Sequence, residues 1–329
     1  MSSIASSEPR PADSGRARRI RLNARDARAN RALRWLAFAG GLLIFLTLFA
    51  IAYQMIDSAS LAMSKEGISF LWHKQWVPQL NKFGALVFIY GTLVTSIVSL
   101  VLATILGVAI GLFLSLMAPR AISIIVGPLV EMLAAIPSVI LGLIGISLIA
   151  PFIAHHVEPW LHSALGFIPI FGEPQAVGNS LFTASLVVTI MVVPIIAALS
   201  RDLFLTVPLE LRDGAEALGA TRWEMIRGVV LPTTSSGVIA ACVLGFGRAI
   251  GEAIAVSQVI GNEIQIPGNL FKQGDSLASV LAVQLPSPIS DLHASSLFYL
   301  ALILFAFGLI VNLIARRISS GVGLLGTVR

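Results

Sequence analysis

Six stretches of near-continuous apolar residues dominate the chain, separated by segments rich in charge, proline or glycine. They run over 35–56, 92–117, 124–150, 181–199, 237–260 and 296–315. A helix needs about 20 apolar residues to cross the hydrocarbon core of a bilayer. Each stretch meets or approaches that length. The apolar runs are unbroken rather than alternating, so they predict helices and not the strands of a barrel. The expected class is therefore all-α, with six transmembrane helices. The organisation that follows is a tail at 1–34, a first helix and loop at 35–82, a core of five helices at 83–317, and a short tail at 318–329. No internal repeat stands out.

Composition agrees. Of 329 residues 56% are hydrophobic and only 12% charged, and the mean hydropathy is +0.89. A soluble domain carries about twice that share of charge. Cys242 is the single cysteine, which excludes an intrachain disulfide framework and a cysteine metal site. His155, His156 and His162 cluster in one loop, but no carboxylate or cysteine completes a metal-ligand spacing, so they read as solvated loop residues. No GxxxxGK[ST] loop occurs. Any ATP would have to be bound by a partner, and no cofactor of the chain's own, metal or nucleic acid is implied.

Basic residues set the expected orientation. Nine arginines precede the first span, and Arg120, Arg201, Arg212, Arg222, Arg227, Arg316, Arg317 and Arg329 fall on the same side of a six-span chain. Lys65, Lys74, Lys82 and Lys272 fall on the other. Seventeen against four places both termini in the cytoplasm, in a bacterial inner or plasma membrane. The first apolar run is longer than the about 7–15 residues of a signal peptide and is read as a retained anchor. Met1–Arg34 is rich in Ser, Ala, Pro and Arg and is expected to begin disordered. Its Arg18, Arg21, Arg25 and Arg28 recur at helical spacing and suit anionic lipid. On the opposite side, Trp72, Trp76, Phe83 and Phe88 with Lys74 and Lys82 suit the headgroup region. Pro151, Pro159, Pro169 and Pro174 argue against one long helix beyond residue 150.

Two charges break the pattern inside the fifth apolar run: Arg248 and Glu252, in Gly245-Phe246-Gly247-Arg248-Ala249-Ile250-Gly251-Glu252. Ionisable groups at membrane depth are costly and mark solute paths or partner contacts. Arg248 points to an anion. Four residues apart on one helix, the two are expected to pair at rest, with the solute exchanging onto Arg248 in passage. Gly247 and Gly251 leave room for another helix to approach. Thr92, Thr95, Ser96 and Ser138 are candidate hydroxyl donors along the path, with Thr95 and Ser138 foremost. Pro137 is a candidate hinge, and Glu131 a structural residue near the cytoplasmic end of the third run.

The loop between the fourth and fifth runs is long and helix-rich. Residues 209–217 predict a short helix, Gly219 a tight turn, and Thr221 with Glu224 a capping box opening a second helix that runs to Pro232. Asp213-Gly214-Ala215, then Gly219, then Leu231-Pro232, resemble the EAA loop of ABC importer permeases. Asp213 and Gly214 depart from the usual Glu and Ala. Gly219-Ala220-Thr221-Arg222-Trp223-Glu224, Gly247-Arg248-Ala249-Ile250-Gly251-Glu252, and Val256-Ser257-Gln258-Val259-Ile260-Gly261-Asn262 resemble the PstC-type permease subunits of phosphate importers, as do Tyr90–Ser96 and Glu131–Val139. The resemblance covers about 83–317.

That resemblance implies a type I importer permease fold and a transport role for Arg248 and Glu252. It implies coupling to an ATPase dimer through Asp213, Gly214, Ala215, Gly219, Leu231 and Pro232. Its implied partners are a sibling PstA-type permease, a cytoplasmic ABC ATPase dimer, a periplasmic or lipid-anchored phosphate-binding protein, and membrane lipids. The chain itself is then no enzyme. Importers of sulfate, molybdate or phosphonate remain open alternatives. An ion-coupled carrier is disfavoured by the missing inverted repeats, and a membrane scaffold leaves Arg248 and Glu252 unexplained.

Overall fold

The computed structural model describes residues 12–323. The order is α1 (Ala12–Glu66), α2 (Leu86–Met117), α3 (Arg120–Ala134), α4 (Ser138–Leu165), α5 (Leu181–Leu205), α6 (Leu209–Ala217), α7 (Arg222–Gly251), α8 (Ile254–Val259), α9 (Leu277–Gln284) and α10 (Asp291–Gly323). The class is all-α. Among the described residues only two isolated bridges, Val77 with Lys82 and Gly261 with Gly274, pair extended backbone. Among the described residues six helices are long and apolar enough to cross a membrane: Ala29–Leu71, α2, α4, α5, α7 and Asp291–Ile314. This is an integral membrane protein.

Two compact units divide the chain, Met1–Gln54 and Met55–Arg329. The first is helical from Ala12, so the structure differs from the expected unstructured tail there. Residues 1–11 lie outside the described residues, as do the side chains of Arg18, Arg21, Arg25 and Arg28. Along this unit the large apolar side chains from Leu33 to Tyr53 are exposed, the pattern of a helix whose solvent is lipid.

The second unit is built around α5. In its apolar window 72% of residues are buried, against 22–33% for α2, α4, α7 and α10. Val187, Val188, Met191, Val192 and Ile196 of α5 pack with Ala103 of α2, Ala249 of α7, and Ala255, Val256 and Val259 of α8. Close backbone approach makes this possible. A side chain at Gly107 would meet Ile196 at 2.8 Å, and one at Gly245 would meet Val192 at 2.8 Å. Ser180 caps α5 by accepting from the Thr183 backbone N–H, and Ser99 Oγ of α2 donates to the Ser185 carbonyl at 2.8 Å.

Three boundaries depart from the apolar pattern. The third run, 124–150, is not one span. It breaks at Ala135–Pro137, because proline disfavours helix in the residue before it and supplies no donor. Its first part becomes the separate helix α3, held to α5 by an Arg201 Nη1–Glu131 Oε1 pair at 3.0 Å. That is the structural role expected for Glu131. The span proper, α4, then runs to Leu165 through Pro151 and Pro159. Wide turns at Gly145–Ile149 and Ile153–Val157 take up the missing donors, so the prolines do not end the helix. The fifth run also breaks, at Glu252–Ala253, and begins earlier than expected, at Arg222.

The segment after α1 is not a loose interfacial loop either. Trp76, Phe83 and Phe88 are buried together with His293, Leu297 and Leu300 of α10. Trp76 Nε1 donates to Gln284 Oε1 at 3.0 Å. Of the four aromatics only Trp72 is exposed.

Candidate translocation and coupling sites

Arg248 lies in the last turn of α7 and is exposed. It lines an open cleft of about 480 Å³ with Ile195 of α5, Val243, Leu244 and Gly247 of its own helix, and Gly308, Val311 and Asn312 of α10. The surroundings are almost wholly apolar, and the guanidinium has no hydrogen-bond or ion-pair partner among the described residues. A side chain at Gly247 or Gly251 would meet nothing within 4 Å, so this flank of α7 is uncovered within the chain.

Glu252 does not pair with Arg248. The helix stops at Gly251, and Glu252 is extended (φ −72°, ψ 113°), which takes the two side chains off the shared face that continuous helix would give. Its Oε1 instead accepts from the Ala255 backbone N–H at 3.4 Å, at the start of α8. The expected resting pair is therefore absent from this conformation. The cause is the break, which four-residue spacing alone does not disclose.

The hydroxyl candidates separate into kinds. Thr95 Oγ1 donates to the Gly91 and Thr92 carbonyls at 2.8 and 3.2 Å, and Thr92 Oγ1 donates to Phe88 O and accepts from the Leu277 N–H. Both hydroxyls are committed to backbone. Ser96 is buried with an unpartnered hydroxyl. Ser138 is half-buried at the start of α4, just after Pro137. No hydrogen bond joins Thr95, Ser138, Arg248 and Glu252 to one another.

Sequence reasoning passed over a polar cluster beyond α8. Gly261 and Asn262 both take left-handed backbone, with φ of 94° and 54°. Asn262 Nδ2 donates to the Ser257 carbonyl, and Asn262 Oδ1 accepts from Ser279 Oγ at 2.9 Å. Asp275 is 2% exposed and accepts from the Ser276 N–H at 2.8 Å. Burial pushes its carboxyl up to about 7. The Gly-Asn pair at 261–262 was the available signal: it marks a turn that needs positive φ. Gln258 Oε1 is also buried without a partner, against the α4 face at Gly142.

The candidate coupling segment matches the local structure expected of it closely. α6 spans Leu209–Ala217, Gly219 has φ 88°, and Thr221 with Glu224 forms a complete capping box. Asp213 and Gly214 are exposed, and neither Gly214 nor Gly219 has anything against the site of a side chain. Leu218 is 90% exposed and Trp223 62%, large apolar groups on an otherwise polar surface. Ala215 and Leu231 converge on one buried cluster of Phe204, Val207, Met225, Ile226 and Val230, which also packs Val108, Leu112 and Leu116 of α2. Pro232 lies inside α7 just after a wide turn at Ile226–Val230, the same arrangement that carries α4 past Pro151. The exposed segment is thus mounted on the ends of α2, α5 and α7 by a continuous apolar core.

A bundle of membrane-length helices around one buried helix, with a rigidly mounted helix pair projecting from one end, is the architecture of a transporter permease. The chain belongs to the family of binding-protein-dependent transport system inner membrane components, whose model matches residues 107–323. Within it, the chain is 41% identical over 278 residues to the phosphate transport system permease protein PstC of Pasteurella multocida (strain Pm70), covering 83% of this chain and 86% of that one. It is 36% identical over 295 residues to the protein of the same name from Xylella fastidiosa (strain Temecula1 / ATCC 700964), covering 89% and 91%. In fold it is similar to a chain of a bacterial alginate ABC transporter crystallised with a pentasaccharide-bound periplasmic protein. The TM-score there is 0.54 at 17% identity, over 87% of this chain and 95% of that one.

Proposed function

We propose that the chain is one of two permease subunits of an ATP-driven importer of inorganic phosphate, and that Arg248 is its principal anion contact. The observation that carries this reading is an unpaired, permanently cationic guanidinium in an apolar cleft on a membrane-spanning helix. Such a group is costly unless something negative visits it. Its planar donor fork suits two phosphate oxygens at once. The names borne by the relatives support phosphate over sulfate, molybdate or phosphonate.

The uncovered flank at Gly247 and Gly251 supports a second permease closing the path beside Arg248. Glu252, in the break just past α7, would take the guanidinium if the break straightened, releasing the anion. Ser96 and Ser138 retain hydroxyls for further phosphate oxygens; Thr95 would contribute only after leaving its backbone bonds. Leu218 and Trp223 would seat in a cytoplasmic ATPase dimer. Movement of that dimer would pass through Ala215 and Leu231 into α2, α5 and α7. The opposite face would receive a phosphate-binding protein. The arginine bias supports both termini lying in the cytoplasm.

The test is uptake of labelled phosphate into cells or vesicles carrying the complete importer. Arg248→Ala is expected to abolish uptake while the chain still inserts in the membrane, and unlabelled phosphate is expected to compete far better than sulfate or molybdate. Normal uptake by the inserted variant, or sulfate competing as well as phosphate, overturns the reading.

A further inference from the structure

Between the end of α1 and the start of α2 lies an open cleft of about 600 Å³, remote in the chain from Arg248 and from the coupling segment. Glu66, Trp72, His73, Lys74, Lys82 and Phe83 line it. By the parity of the spans it faces the side opposite the coupling segment.

The cleft is a built feature. The Ala85 N–H donates to the Phe70 carbonyl at 2.8 Å, and the Leu86 N–H to the His73 carbonyl at 3.2 Å, tying both ends of the segment together. The Val77 N–H donates to the Lys82 carbonyl at 2.8 Å, and the Lys82 N–H to the Val77 carbonyl at 3.3 Å. Gly84 lies so close to His73 that a side chain there would come within 2.3 Å of its carbonyl oxygen. Phe83 forms the buried wall, stacked on His293. The lysines are thus carried on fixed backbone.

The charges are arranged in two signs. Lys74 and Lys82 have no side-chain partner among the described residues. Glu66 is mostly covered, its Oε2 3.8 Å from His73 Nδ1. Two free ammonium groups with one carboxylate close by match a ligand that carries a phosphate and an amine. The location narrows the source. Trp72 and Ile68, in the turns just after α1, are 70% and 75% exposed, and Leu61 one helical stretch earlier is 48% exposed. A tryptophan with neighbouring lysines at the end of a membrane-length helix stands at headgroup depth. The exposed apolar side chains below it offer a surface for acyl chains. A free phosphate ion would use neither the carboxylate nor that surface.

We propose that this cleft holds the headgroup of a phospholipid bearing a primary amine, with Lys74 and Lys82 on the phosphodiester and Glu66 on the ammonium. The site goes beyond phosphate transport and does not depend on it. It would anchor the α1–α2 segment against the bundle through a lipid rather than through protein alone.

Native mass spectrometry of the full-length chain, extracted with the subunits that co-purify with it, tests this. Phosphatidylethanolamine, phosphatidylcholine and inorganic phosphate serve as separate probes. The wild type is expected to retain one phosphatidylethanolamine. K74A/K82A is expected to lower that retention about tenfold or more, since each lysine loses a phosphate contact. K74R/K82R is expected to restore it. E66Q is expected to bring phosphatidylethanolamine and phosphatidylcholine to near parity. Thermal unfolding in lipid-free detergent checks that the variants fold; if K74A/K82A does not, the single variants K74Q and K82Q carry the same comparison. Equal retention by wild type and lysine variants overturns the proposal. So does inorganic phosphate binding in the cleft and displacing the lipid, which would make it a free-anion site. Uptake assays are not used, so failure here leaves the transport reading untouched.

Discussion

Arg248 and Asp275 are two ionisable residues in opposite circumstances. Arg248 cannot neutralise itself, and in the proposed function its charge is met by an anion that comes and goes. Arg248→Lys keeps the charge but loses the fork. It is expected to leave partial uptake, with a larger loss for phosphate binding than for insertion, measured as the concentration dependence of labelled phosphate uptake. Asp275 sits in the protein's own interior with its carboxyl raised to about 7. Folding then favours its protonated form. Its stabilising contribution is fully present below its ordinary value of 3.8 and is lost as pH rises toward 7. Asp275→Asn should remove that fall, seen as a flatter dependence of thermal stability on pH across this range than in the wild type. Gly91 supports the same region. A side chain there would come within 1.9 Å of the Asp275 carbonyl oxygen, so Gly91→Ala is expected to destabilise by about 1–3 kcal/mol, measured by thermal unfolding in detergent.

At the level of elements, the candidate sites lie where helices are interrupted. The break at Glu252–Ala253 separates α7 from α8 and keeps Glu252 off the Arg248 face. A break of this kind supplies backbone freedom beside a charged side chain, which an unbroken helix lacks. The coupling segment uses the opposite device, a turn held rigid. Gly219 at φ 88° sets the angle between α6 and α7. A β-branched residue is strained in that conformation. Gly219→Val is therefore expected to misplace Leu218 and Trp223 and to uncouple ATP hydrolysis from uptake in the assembled importer, read as hydrolysis persisting while transport falls. Unchanged coupling would remove α6 from the role given to it.

Across the whole molecule, one of the membrane-length helices among the described residues, α5, is mostly buried, and the others are largely clad in exposed apolar side chains. Lipid accounts for part of that surface, and in the proposed assembly a second permease covers the flank of α7. The N-terminal unit is different in kind, helical from Ala12 with exposed apolar side chains from Leu33 to Tyr53. Its arginines serve orientation in the proposed topology. Deleting Met1–Arg28 is expected to leave phosphate uptake largely intact, and a truncated chain that inserts but does not transport would give that segment a direct part in the mechanism.

Much of this was legible from residues read in order. Apolar runs of membrane length give the helix count, because each span must satisfy its backbone internally wherever it sits. The coupling segment was legible down to its cap, since Gly219, Thr221 and Glu224 act through bonds only a few residues long. The interruptions and the partnerships were not. Pro137 ends a helix whereas Pro151 and Pro159 do not, because wide turns available in the packed span absorb the latter two. Trp76, Phe83 and Phe88 read as interfacial until His293, more than 200 residues on, packs on Trp76 and Phe83, and Trp76 on Phe88. Spacing of four makes Arg248 and Glu252 neighbours only if the helix continues, and continuity is settled by the packing of α8 against α4 and α5. Local rules reach as far as a turn or a cap; which buried face meets which depends on contacts that the order of residues does not contain.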